Sequence, residues 1–154
     1  MSKLLIILFL GLSLVLAGCG NSKTVATLQD TSGATYQLQN YPNQWIVLNY
    51  WASWCKPCHE EIPQLNAFYE HYKKHILLFG VNYDAVGATQ LSQLVKQMNI
   101  LYPVLTGDPA ATFGINEVPG LPVTFIINPK GQVVKTLFGK QTVQSLAKAT
   151  GLLG

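Results

Sequence analysis

From residue 45 to residue 51 the chain reads Trp-Ile-Val-Leu-Asn-Tyr-Trp, an apolar and aromatic run that suits a strand buried on both faces. The rhythm then changes. Ile62, Leu65, Phe68, Tyr69 and Tyr72 recur at helical spacing, which predicts a helix over residues 55–74. Pro57 falls in its first turn, where a missing N–H costs nothing, and Pro63 lies inside, where it is expected to kink the helix. Residues 76–81 return to an unbroken apolar run and read as a second buried strand. A second helix is expected over 87–99, a short extended piece over 102–105, and a helical turn starting at Asp108-Pro109. Residues 123–127 and 132–138 read as two strands joined by Asn128-Pro129-Lys130-Gly131, and residues 142–149 as a closing helix. Near the start, residues 25–29 and 34–39 flank the turn-like cluster Asp30-Thr31-Ser32-Gly33 and predict a hairpin. The order is therefore hairpin, β, α, β, α, β, β, α. A right-handed β-α-β unit followed by a hairpin and a last helix predicts an α/β fold with a mixed central sheet flanked by helices.

One apolar run does not belong to this pattern. Residues 4–18 carry no charge and follow Lys3, with small residues at their end. A positive start, a short apolar core and small residues are the marks of a secretory signal, and the run is shorter than the roughly 20 residues of a spanning helix. Its last residues, Leu16-Ala17-Gly18-Cys19, resemble the bacterial lipobox. That resemblance implies cleavage before Cys19 and lipid on its sulfur and amine, with enough acyl chains for stable anchoring. The alternative is ordinary secretion with Cys19 a spare thiol. The expected organisation is a signal peptide over 1–18, lipidated Cys19 and a tether over 19–24, and one domain over 25–154.

The chain has ten lysines, no arginine and seven acidic residues, without a basic stripe, so nucleic-acid binding has no support. Its three cysteines are an odd number, which in an exported chain asks for an explanation. With Cys19 set aside for lipid, Cys55 and Cys58 remain. A bridge between them closes a very small loop and constrains little chain entropy, so a chemical use is expected rather than a structural one. Zinc would need two further ligands, and no second Cys-x-x-Cys exists. His71 and His75 have the spacing of a metal pair but no accompanying acidic zinc motif, and solvated positions are expected. No metal and no cofactor beyond the dithiol is expected.

Trp51-Ala52-Ser53-Trp54-Cys55-Lys56-Pro57-Cys58, between a buried strand and a Pro-containing helix, is similar to the thioredoxin superfamily. The wider string from Leu48 through Glu61-Ile62-Pro63 resembles its TlpA/ResA branch of exported, membrane-tethered members, over roughly residues 25–150. The fold this implies is thioredoxin-like. A thiolate is needed for exchange at neutral pH, and Cys55 at a helix N-terminus meets free N–H groups and a favourable macrodipole. Cys55 is thus the expected attacking residue and Cys58, one turn inward, the resolving one. Lys56 and Pro57 are expected to tune the pair.

The resemblance also places Pro122, in Gly120-Leu121-Pro122-Val123, as a cis-proline facing the cysteines. There it leaves neighbouring backbone free to pair with an extended substrate. Leu121 beside it and Trp54 would contact substrate. Many thioredoxins carry a buried acid where this chain has Asn49, which cannot exchange protons. The TlpA/ResA branch instead has an acid three residues after the second cysteine, here Glu61. A partly buried carboxylate with a raised pKa could accept the Cys58 proton. Otherwise Glu60 and Glu61 would merely favour the first helical turns. Trp51 is expected to pack, His59 to be exposed and Asp84 to cap a loop.

These features predict a thiol–disulfide oxidoreductase that reduces disulfides in exported proteins, for which the family suggests apocytochrome c. Its expected partners are protein thiols and disulfides, a DsbD-like or CcdA-like membrane thiol transporter as electron donor, and the membrane itself through Cys19. The expected location is a bacterial membrane surface facing the periplasm or the cell exterior, with a monomer as the default. The opposite direction, a DsbA-like oxidase or isomerase, is the alternative. Against it, residues 82–101 hold one helix rather than a large helical insertion. A copper-binding or chaperone module is a more remote reading, because such relatives use Cys-x-x-x-Cys and a distant His.

Overall fold

The structure is a computed structural model and describes residues 26–153. The expected signal, Cys19 and the tether lie outside the described residues. The first elements are β1 (Thr27–Gln29) and β2 (Thr35–Gln37), paired antiparallel as a hairpin. Asp30 organises their turn. Its carboxylate accepts from the Ser32 N–H and hydroxyl, the Ala34 N–H and the Tyr36 hydroxyl at 2.6–3.1 Å. The second strand is shorter than its sequence pattern suggests, because residues 38–40 tighten into a 3-10 turn.

The main sheet has five strands: β3 (Trp45–Trp51), β4 (Ile76–Asn82), β5 (Val104–Leu105), β6 (Val123–Ile127) and β7 (Val133–Phe138). Their spatial order is β5-β4-β3-β6-β7, with β3, β4 and β5 parallel and β6 and β7 antiparallel to their inner neighbours. The helices are α1 (Lys56–Tyr72), α2 (Ala88–Gln97) and α3 (Val143–Ala149). Both parallel crossovers, β3-α1-β4 and β4-α2-β5, step outward in the same direction. A right-handed connection therefore puts both helices on one face. Buried Ile62, Leu65 and Phe68 of α1, Leu91 of α2 and Leu146 of α3 all join the cluster on that face, with Val47 and Trp51 of β3.

Alternate residues of the same strand, Ile46, Leu48 and Tyr50, point into a second cluster. It is closed by Leu28 of the hairpin and by Phe113 of a 3-10 turn at Ala110–Phe113, where Asp108-Pro109 leads as expected. The hairpin is also tied to the sheet edge: the Thr31 N–H donates to the Val104 carbonyl and the Thr106 N–H to the Gln29 carbonyl, both at 2.9 Å. Its packing onto β5 covers part of an edge strand that would otherwise present free backbone groups.

Pro63 sits inside an α-helix that runs from Lys56 to Tyr72 without a break. Gly80 of β4 is required by close approach. A Cβ there would lie 3.1 Å from Trp51 Nε1, Tyr102 Cε2 and Val104 Cγ2. Gly80→Ala is therefore expected to destabilise the domain by about 1–3 kcal/mol, the usual cost of overpacking. Urea unfolding of the oxidised protein measures it, and an unchanged midpoint would show that the three neighbours yield freely.

Candidate active site

The site lies where β3 ends and α1 begins. Cys55 is the N-cap of α1, in extended conformation, and its sulfur accepts the Cys58 N–H at 3.3 Å. One N–H of the helix N-terminus thus reaches the sulfur of Cys55, where the helix dipole also favours negative charge. Cys55 and Cys58 are joined as a disulfide. Only Cys55 keeps any surface, at 4% exposure against 0% for Cys58. That asymmetry makes Cys55 the sulfur an incoming partner reaches first. Pro57 occupies the first turn of α1 and Lys56 is exposed beside it.

Asp84, from the loop after β4, holds the turn in front of the dithiol. Its carboxylate accepts the Ser53 N–H at 2.7 Å, the Ser53 hydroxyl at 3.0 Å and the Asn82 side-chain amide at 2.7 Å. It is a cap, as its position after a strand suggested. His59 is exposed as expected, with its Nε2 placed 2.8 Å from the Ser53 carbonyl. Trp54 stands 70% exposed. With Ser53, Lys56, His59 and Glu60 it lines an open depression of about 490 Å³ next to Cys55. Trp51 is fully buried packing.

The Leu121–Pro122 peptide bond is cis. Val123, the next residue, pairs with Tyr50 across the sheet, which puts Pro122 at the same end of the sheet as the dithiol. Pro122 is buried, and its carbonyl accepts the Gly139 N–H at 2.9 Å. Leu121 packs against the cluster that contains both cysteines. Pro119, the other proline of this loop, is exposed.

Glu61 is 1% exposed, so its carboxylate is not a solvated charge on the helix surface. Its Oε1 accepts from Asn49 Nδ2 at 2.7 Å and its Oε2 from the Gln141 N–H at 3.0 Å. Burial pushes its pKa up to about 7, against the opposing pull of those two hydrogen bonds. Glu60, one residue earlier, is exposed and paired with Lys140 at 2.7 Å, and that ammonium holds its carboxyl below the usual range. The neighbouring acids therefore have opposite characters. Of the two, Glu61 has the burial and the proton affinity for acid–base work near neutrality.

Sequence reasoning did not find Gln141. Its contact with Glu61 spans 80 residues, and it belongs to the β7–α3 connection, where nothing local marks it. Its side-chain amide donates to the Gly139 carbonyl at 2.9 Å, which fixes the strap that delivers the N–H.

A buried strand running into an N-capping cysteine, a Cys-x-x-Cys disulfide and a cis-proline at the same sheet end define the class: thioredoxin-like proteins of thiol–disulfide exchange. Residues 20–136 match the AhpC/TSA family, and the chain belongs to it. The chain is 32% identical over 118 residues to the thiol-disulfide oxidoreductase ResA of Bacillus subtilis (strain 168), covering 75% of this chain and 64% of that protein's length. Among solved structures it is similar to StoA from Bacillus subtilis, with a TM-score of 0.68 and 24% identity over 81% of this chain and 95% of that one. It is also similar to the exposed lipoprotein thioredoxin Etrx1 of Streptococcus pneumoniae strain TIGR4, with a TM-score of 0.71 and 21% identity over 83% of this chain and 98% of that one. These two likenesses carry the fold.

Proposed function

We propose that the protein is a thiol–disulfide oxidoreductase working in the reducing direction on exported proteins, held to the outer side of a bacterial membrane by lipid on Cys19. The observation that carries the reading is a buried, proton-avid Glu61 on the helix whose N-cap is the reachable Cys55. The lipobox-like Leu16-Ala17-Gly18-Cys19 and the exposed-lipoprotein description of the pneumococcal neighbour support the anchoring.

In the reducing cycle the Cys55 thiolate attacks a substrate disulfide and one substrate thiolate leaves, taking a proton. The Cys58 thiol passes its proton to Glu61, and its sulfur attacks Cys55. The second substrate thiolate leaves, and the Cys55–Cys58 disulfide holds the two electrons' worth of oxidation. Trp54, Leu121 and the backbone beside Pro122 receive the extended substrate segment. Apocytochrome c is the substrate proposed from the resemblance to the TlpA/ResA branch. A membrane thiol transporter of DsbD or CcdA type would return the dithiol to its reduced form. Tethering near that donor raises its effective concentration without any new contact.

The reduction potential tests the direction. Equilibration of the purified protein against a dithiothreitol couple is expected to give a value near or below about −270 mV, that of a dedicated reductant. A value near about −120 mV, as for DsbA, would overturn the reading and make disulfide formation the function.

A further inference from the structure

We propose that Asn49 is a two-way positioning residue for the resolving step: its amide donates to Glu61 while that carboxylate is charged, and turns over to accept from it once it has taken the Cys58 proton. The proposal rests on the reading of Glu61 as the base.

The geometry is asymmetric in a telling way. Asn49 is 1% exposed in the middle of β3. Its Nδ2 donates to Glu61 Oε1 at 2.7 Å and to Thr124 Oγ1 at 3.1 Å, so both amide hydrogens are used. Its Oδ1 is buried and has no partner among the described residues. Native interiors rarely leave a buried carbonyl unpaired. Here the amide serves a charged Glu61 at the expense of its own oxygen.

Transfer of the Cys58 proton gives a Cys58 thiolate and a neutral Glu61 carboxyl, with nothing else gained or lost. The proton must then sit on one carboxyl oxygen and find an acceptor. Oε2 faces the main-chain N–H of Gln141 at 3.0 Å, a group that only donates. Oε1 faces the Asn49 amide, which has a donor end and an acceptor end. A half-turn of that amide brings Oδ1 to the Glu61 O–H. The Thr124 hydroxyl follows without moving its oxygen, because a hydroxyl can accept or donate. Each orientation satisfies Glu61 and Thr124 and leaves one end of the amide free. The two proton states of Glu61 are thus served by one side chain that carries no charge itself.

The surroundings leave this role to Asn49. On α1, Glu61 has Cys58 one turn away and the exposed Glu60, whose charge is taken up by Lys140. From the strap it meets only the Gln141 N–H, and from β6 the neutral Thr124 pairs with Asn49. Tyr102, buried before β5, is kept protonated first by burial and then by the Glu61 charge. Among the described residues, no cation contributes to the Glu61 proton affinity. An aspartate in place of Asn49 would add a second buried negative charge beside it. An asparagine supplies the same acceptor without one.

The test is a side-chain NMR titration of the whole reduced protein from about pH 5 to about pH 9, bracketing Glu61. The Glu61 carboxyl carbon and the Asn49 amide protons are followed together. The expected result is that the Asn49 signals move with the same midpoint as Glu61. Flat Asn49 signals while Glu61 titrates would overturn the proposal. In Asn49→Leu the charged carboxylate loses a donor and the neutral carboxyl an acceptor. The bond to the charged form is the stronger of the two, so the midpoint of the pH–rate curve is expected to rise, with a rate loss at neutral pH approaching about tenfold per unit of rise. Should that variant not fold, Thr124→Val, which removes the hydroxyl that holds the amide in both orientations, is expected to shift the same midpoint by a smaller amount. An unchanged midpoint in the variant that folds also overturns the proposal. Failure of the base reading looks different: Glu61→Gln would then keep the parent rate and pH profile, whatever the Asn49 amide does.

Discussion

A Cys58→Ser variant is expected to accumulate as a covalent adduct through Cys55 and to lose turnover by on the order of a thousandfold or more. The reason lies in the order of the two sulfurs. Cys55 retains surface and caps the helix with its sulfur, whereas Cys58 has none. A substrate disulfide therefore meets Cys55 and forms a mixed disulfide. A serine hydroxyl at position 58 is far too weak an acid to supply the second nucleophile, so only an external thiol releases the adduct. Cys55→Ser, by contrast, is expected to be inactive without trapping anything. Mass spectrometry after incubation with a disulfide-bonded peptide distinguishes the cases: the Cys58→Ser chain gains the mass of one half-peptide and loses it on treatment with dithiothreitol. Trapping by Cys55→Ser and not by Cys58→Ser would reverse the assignment of the two roles.

The dithiol was legible in the sequence because its parts are neighbours. Trp51 through Cys58 place a buried strand, a turn and a helix start within one short string, and Pro57 and the helical recurrence of Ile62, Leu65 and Phe68 set the helix. Pro122 was legible only through resemblance, since nothing in Gly120-Leu121-Pro122 itself says which strand end it will reach. The sheet order supplies that, by pairing Tyr50 with Val123. Glu61 is a candidate through the resemblance to the TlpA/ResA branch, which places an acid three residues after the second cysteine, but its partners are not legible there. The Gln141 N–H reaches Glu61 across 80 residues, and the Thr124 hydroxyl that holds the Asn49 amide lies 75 residues from Asn49, so both depend on tertiary packing. Asn49 was noticed as the place where an acid is missing. Its value as a donor to Glu61 emerges only when β3 and α1 are packed together. The hairpin was expected, yet its attachment to β5 was not, because edge pairing through Thr31 and Thr106 leaves no periodic trace.

Glu61→Gln is expected to slow the reduction of disulfides at neutral pH by about 10²–10⁴-fold, the usual contribution of a positioned acid–base group, and to remove the rate dependence near pH 7. The same substitution is expected to make the protein more stable under mildly alkaline conditions. Burial raises the Glu61 pKa from 4.5 to about 7 in the folded chain. Between those values the folded state binds a proton that the unfolded state has released, so stability falls as pH rises through this window. Below it the group costs nothing, and above it the full penalty is present, about 3 kcal/mol for a difference of roughly 2.5 units. A neutral glutamine removes that slope. Urea unfolding of the oxidised chain at about pH 5 and about pH 8 is therefore expected to show the variant close to the parent at the lower pH and more stable at the higher one. Equal stability of the two proteins at both pH values would mean that the carboxylate is not strained by burial, and the raised proton affinity on which the resolving step depends would go with it. If the slower enzyme is indeed the more stable protein, Glu61 belongs with groups kept for their chemistry against the preference of the fold.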